Sequence, residues 1–160
     1  MMIVFFDIRG VIFIDCVPEG QTVNQVYYKN VLTTLREPVR RRRPDMWKNA
    51  SWIFHHDKAP AHNALTVKRY LSKSSIPVME HPPFPPDLPQ CDFFIFPKMK
   101  SALKGTSFET VDAVKAKATQ LLNSIIQDDL QDCFQKWQIR MDRCRDRGGD
   151  YIEGDNISIV

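Results

Sequence analysis

No stretch of this chain approaches the roughly 20 consecutive apolar residues that a membrane-spanning helix requires. Its first residues also lack the basic region, apolar stretch and small-residue cleavage site of a secretory signal. Neither a membrane protein nor a secreted one is expected. Cysteine is sparse, and Cys16, Cys91, Cys133 and Cys144 show no close pairing, so they read as reduced thiols of an intracellular protein rather than a disulfide framework. Neither a Cys-x-x-Cys nor a His-x-x-x-His pair is there to anchor a tetrahedral zinc site. Internal repeats are absent as well.

What remains is 160 residues with 43% hydrophobic and 26% charged side chains, the make-up of one globular domain over 1–160, with 105–160 as its C-terminal helical part. A formal charge of +3 and a pI near 8.7 are compatible with a polyanion partner without requiring one. The local distribution says more. Arg40, Arg41, Arg42 and Arg43 are contiguous, with Arg36 before and Lys48 after, and Arg140, Arg143, Arg145 and Arg147 form a second basic region. Either could track phosphates, and the first could serve as a nuclear address. The alternative is a solvated helix end, where arginine suits the C-terminal dipole.

The opening runs, Met2 to Ile8 and Val11 to Val17, are rich in Ile, Val and Phe and predict a β-hairpin turning at Arg9-Gly10. Thr22 predicts an N-cap for a helix to about Leu35, with Val23, Val26, Tyr27 and Val31 on its apolar stripe and Pro38 and Pro44 breaking the helical pattern around the arginine block. A short buried strand at Trp52, Ile53 and Phe54 precedes a helix from Ala61 to Leu71 and a strand from Ile76 to Met79. The prolines between His81 and Pro89 exclude helix and sheet interior, leaving a stiff extended connector; a ligand for a proline-recognition domain is the competing reading. Further helices are expected from Phe93 to Leu103, from a Thr110 cap to about Ile126, and over the periodic Leu130, Cys133, Phe134, Trp137 and Met141, ended by Gly148-Gly149.

Two carboxylates stand out in this frame. Asp57 ends the apolar run Ser51-Trp-Ile-Phe-His-His-Asp57, Asp92 comes after the proline-rich connector, and 34 residues separate them. Each sits where the chain leaves a buried element for a loop, which is how a divalent-metal site is commonly built. His56-Asp57-Lys58-Ala59-Pro60-Ala61-His62 resembles the His-Asp-Asn-Ala-Pro-x-His signature of mariner-type transposases. His81 to Phe96 resembles their His-Pro-Pro-Tyr-Ser-Pro-Asp-Leu-x-Pro-x-Asp-Tyr/Phe-x-x-Phe segment, and the gap of 34 is also the mariner gap. The likeness runs from Phe5-Phe6-Asp7-Ile8-Arg9-Gly10 through Pro18-Glu19-Gly20-Gln21-Thr22-Val23 to Trp137 and Tyr151-Ile-Glu-Gly-Asp155.

The resemblance implies an α/β, ribonuclease H-like mixed sheet flanked by helices, lacking the family's first strand and the aspartate on it. It implies an endonuclease and strand-transfer activity on DNA with Mg2+ or Mn2+ held by Asp57 and Asp92 as catalytic residues, in the nucleus, with a homodimer left open and no small-molecule substrate. Arg40, Arg41, Arg42, Arg43, Lys58 and His62 are candidates for nucleic-acid contact, and His56 for support behind the metal ligands. Lys58, Phe84 and Pro85 depart from the family's Asn, Tyr and Ser. Losing one of three carboxylates at a cost of roughly 3 kcal/mol would weaken metal binding about a hundredfold, so the chain is expected to be impaired or inactive. Asp7 and Asp15, on the hairpin, are the candidates to fill that role, although strand-end aspartates more often serve hydrogen bonding. The competing expectations are a non-catalytic nucleic-acid-binding or interaction remnant, and a fragment that folds poorly alone.

Overall fold

The computed structural model describes residues 1–56, 59–79 and 94–146. The connector from His81 to Pro89, Asp57, Lys58, Asp92 and the glycine pair at 148–149 lie outside the described residues. The chain divides into two compact units, one of Met1–Asp7 with Val11–His81 and one of Ile8–Gly10 with Pro82–Val160.

In the first unit, β1 (Met2–Asp7) and β2 (Gly10–Cys16) form a two-stranded sheet. The turn falls at Ile8 and Arg9, one residue earlier than expected. Gly10 opens β2 with φ at +144°, a conformation that a side chain would resist, which is why glycine stands there. Every residue of β1 is half-buried, as expected of a strand covered in part on both faces.

Helix α1 (Gln25–Arg42) differs from its sequence expectation at both ends. Asn24, not Thr22, is the N-cap: its Oδ1 accepts the Tyr27 N–H at 2.9 Å, satisfying one of the unpaired donors of the first turn. The helix also runs through Pro38. The ring removes the N–H that would reach the Thr34 carbonyl, but Thr34 is a solvent-exposed residue while Leu35 and Val39 on either side are buried, so the core holds the axis. Pro44 does stop it, and as the first residue of α2 (Pro44–Asn49) it needs no N–H. The buried face of α1 is Tyr28, Val31, Leu32, Leu35 and Val39, whereas Val26 is 59% exposed. The apolar stripe is therefore rotated from the one centred on Tyr27. The steps 28, 32, 35, 39 continue the helical period to the end of the element, which the shorter 23, 26, 27, 31 set does not.

Helix α3 (Leu65–Lys73) starts four residues later than expected, because residues 59–63 fold into a turn in which the His62 and Asn63 N–H groups both donate to the Ala59 carbonyl. Its Val67 and Leu71 join Tyr28, Leu32, Leu35, Val39 and Phe54 in one core. Burying each such aliphatic side chain contributes about 2 kcal/mol. The expected strands at 52–54 and 76–79 reduce to a single parallel bridge between Phe54 and Val78. Phe54 itself is buried and stacks on Phe5 of β1 at 6.1 Å between centroids.

The second unit is helical: α4 (Phe96–Leu103), α5 (Val111–Asn123) and α6 (Gln127–Asp146). The Thr110 Oγ1 caps α5 by accepting the Ala113 N–H at 3.1 Å, as the sequence predicts. Ile95, Ala118, Leu122, Leu130 and Cys133 are the buried side chains among the described residues of this unit, and Phe134 meets Trp137 edge-on one turn along α6. Lys98 on α4 pairs with Asp129 in the first turn of α6.

Candidate active site

The Phe54 N–H donates to the Pro77 carbonyl at 2.7 Å and the Met79 N–H donates to the Phe54 carbonyl at 2.8 Å. These are the slanted bonds of a parallel pair. The two segments therefore run in one direction, and His55-His56 leaves the bridge at the same end as Met79. Asp57 comes directly after His56 in the chain. The C-terminal edge of parallel pairing is where α/β folds place ligand sites. Nothing further of Asp57, Lys58 or Asp92 lies within the described residues.

His56 and His62, on either side of that aspartate in sequence, are brought together. Their rings are parallel within 5° at 5.4 Å between centroids. Tyr28, 1% exposed at the start of α1's buried face, joins both: its hydroxyl is hydrogen-bonded to His56 Nδ1 at 3.0 Å, and its ring stacks on His62 at 3.9 Å. Which of the two groups donates depends on the imidazole tautomer. Phe54 also packs against His56, tilted at 57° with centroids 4.9 Å apart. Sequence reasoning missed Tyr28, although it is the residue on which the 28-32-35-39 spacing starts.

The arginine block does not act as one surface. Arg43, at the junction of α1 and α2, donates from Nε and Nη2 to both carboxylate oxygens of Asp7 at 2.6 and 2.7 Å, and the two side chains are only 11% and 18% exposed. Arg42 donates to the Val11 carbonyl of β2 at 2.8 Å. Arg40 forms a two-pronged pair with Glu37 on an open face, where its guanidinium holds the Glu37 carboxyl below the usual carboxylate range. Arg41 is exposed and makes no hydrogen bond among the described residues. The hairpin carboxylates are engaged too: Asp7 by Arg43, and Asp15 by the Tyr27 hydroxyl, which donates to it at 2.6 Å. That bond, with lesser contributions from desolvation and the negative charge, pushes the Tyr27 hydroxyl up to about 12. Neither aspartate is set apart to complete a metal site.

Among the described residues no group of three or more His, Cys, Asp and Glu side chains could hold a metal ion. Within the described part, the donors nearest Asp57 in sequence are two imidazoles, one with Nδ1 turned to a tyrosine. These fit a supporting role behind hard-cation ligands rather than ligation itself.

A family model described as "Transposase (partial DDE domain)" matches residues 1–49. The mariner Mos1 transposase of Drosophila mauritiana is 30% identical over 154 residues, covering 96% of this chain and 45% of that protein. The chain thus spans less than half the length of this curated relative. The Mos1 transposase catalytic domain solved with raltegravir and Mg superposes with a TM-score of 0.85 at 29% identity, over 95% of this chain and 76% of the other. The Mos1 paired-end complex with Mn gives a TM-score of 0.85 at 29% identity, over 95% of this chain and 44% of the other. With these likenesses over nearly its whole length, the chain is similar to the mariner-type transposases, and its fold matches their ribonuclease H-like catalytic domain.

Proposed function

We propose that this chain is the DNA-processing part of a mariner-type transposase, in which Asp57 and Asp92 hold a divalent cation, Mg2+ or Mn2+, against a phosphodiester of transposon DNA. The observation that supports the reading is the parallel Phe54–Val78 pairing, which brings His56, the residue before Asp57 in the sequence, to the exit edge of the pairing. The Mg and Mn of the similar Mos1 structures support a divalent ion. Such an ion, when bound, offsets charge on the attacking and leaving oxygens of phosphoryl transfer. Carboxylates are the ligands that hard cations prefer, which fits aspartate at both positions.

The chain's own residues supply the rest. His56 and His62, which flank Asp57 in the sequence, are themselves held by Tyr28. Arg41, with Arg40 and Arg42 beside it, offers positive charge to the DNA backbone, while Arg43 belongs to the fold through Asp7. A paired complex of two chains working in the nucleus is part of the same reading.

The test is a metal-dependent nicking assay on DNA bearing the transposon end, comparing the chain with Asp57→Ala. Weak cleavage, in keeping with the impaired activity expected of this chain, that requires Mg2+ or Mn2+ and is lost in the variant is the expected result. Salt-sensitive DNA association with no metal-dependent cleavage would overturn the catalytic reading in favour of a binding-only protein.

A further inference from the structure

We infer that the solvent face of α3 is a contact surface for the phosphate backbone of DNA, with Lys68, Arg69 and Lys73 as its cations. The inference deepens the proposed function and rests on its DNA partner alone, needing neither the metal nor cleavage. These three residues belong to neither aspartate motif and lie outside the arginine block.

Helix α3 is fixed from one side, where Val67 and Leu71 are buried in the core with Tyr28, Leu32 and Leu35. Lys68, Arg69 and Lys73 point away from that core, as do Thr66 and Ser72, and all five are exposed. None of the three cations makes a side-chain hydrogen bond or ion pair among the described residues. Arg40, Arg42 and Arg43, by contrast, are each held by a partner within the protein. Charge is also concentrated on α3. From 59 to 79 there is no Asp or Glu, so with 22 Lys and Arg against 19 Asp and Glu in the chain, these three cations account for the whole formal charge of +3.

Helix stability does not explain the set. Lys73 suits the negative end of the helix dipole, but Lys68 stands in the first turn, where the dipole disfavours a cation and no acidic side chain offsets it. Arg69 and Lys73 are like charges four positions apart, an unfavourable pair on a helix surface. A polyanion outside the protein relieves both. Lys68 and Lys73 are separated by about 7.5 Å along the axis, a length over which one strand of B-DNA presents about two phosphates. The Thr66 and Ser72 hydroxyls can donate to the same oxygens. Because Val67 and Leu71 already seat the helix in the core, no folding has to accompany binding.

The experiment is binding of the full chain to a random-sequence DNA duplex, free of divalent metal, between roughly 50 and 200 mM salt. Lys68→Gln, Arg69→Gln and Lys73→Gln combined should lower the slope of log affinity against log salt by about 3, alike on any sequence. A control removes the same charge elsewhere: Lys100→Gln, Lys104→Gln and Lys117→Gln combined, all at exposed positions, should keep the wild-type slope. An unchanged slope in the folded α3 variant, or an equal fall in the control, overturns the inference and leaves DNA as the partner. Absence of salt-dependent binding by the wild type removes the DNA partner itself, and the inference with it. Should the triple variant not unfold cooperatively, Arg69→Gln alone is expected to lower the slope by about 1, and an unchanged slope there overturns the inference.

Discussion

Asp15 and Tyr27 lie 12 positions apart, on β2 and the first turn of α1, and their bond shows how a single neighbour redefines a side chain. Because the Tyr27 hydroxyl donates to a carboxylate, its neutral form is favoured in the folded state, with titration moved from the ordinary 10 to about 12. The folded value exceeds the unfolded one, so the stabilisation is fully present below pH 10 and is lost as pH rises from there through about 12. Tyrosinate absorbance of the wild type minus that of Tyr27→Phe should show one late group near 12, returning towards 10 in Asp15→Asn. A group already ionised at pH 10 in the wild type would contradict this. The identities of Asp57 and Asp92 as candidate ligands were legible from residue type and spacing, since both are written in the primary structure. The partnership of Tyr28 with His56 was not. It spans 28 positions and depends on a rotation of α1 that moves the buried face from Tyr27 to Tyr28.

Between elements, the Asp7–Arg43 pair ties the end of β1 to the α1–α2 junction, and Arg42 adds a bond to the β2 carbonyl of Val11. With both side chains more than four-fifths buried, removing one partner strands the other. Asp7→Ala should lower unfolding stability by roughly 3 kcal/mol in denaturant titration. Arg40→Ala, which breaks a pair of the same chemistry on an open face, should leave the midpoint where it was. Equal losses in the two variants would refute the assignment. Helix existence was readable from periodicity and capping side chains such as Thr110, and element ends were not. Pro38 ends a helix by local rule, yet here the buried Leu35 and Val39 carry α1 past it. The 59–63 turn likewise displaces the start of α3, because it serves to fold His62 onto Tyr28.

For the molecule as a whole, a formal charge of +3 gives only a mild pull towards polyanions, so the few uncommitted arginines matter. Each phosphate contact contributes close to one unit to the slope of log affinity against log salt. Arg41→Ala should therefore lower that slope by about 1, measured by DNA binding between roughly 50 and 200 mM salt. Arg43→Ala acts through the fold instead, and a slope change in it at intact stability would place Arg43 on the DNA. The compact units of the chain divide after residue 81, with residues 8–10 grouped in the second.

The primary structure alone determined the chemistry on offer: two aspartates with 34 residues between them in motifs shared with mariner-type transposases, a block of arginines, and helices whose apolar spacing requires a core. Only the tertiary structure decided which of those groups are spoken for. Asp7, Asp15 and Arg43 are taken up by partners 12 to 36 positions away, and Tyr28 is drawn beneath both histidines of the motif. The reason is physical: residue type and spacing act locally along the chain, whereas burial and charge pairing act across whatever distance the packed core closes.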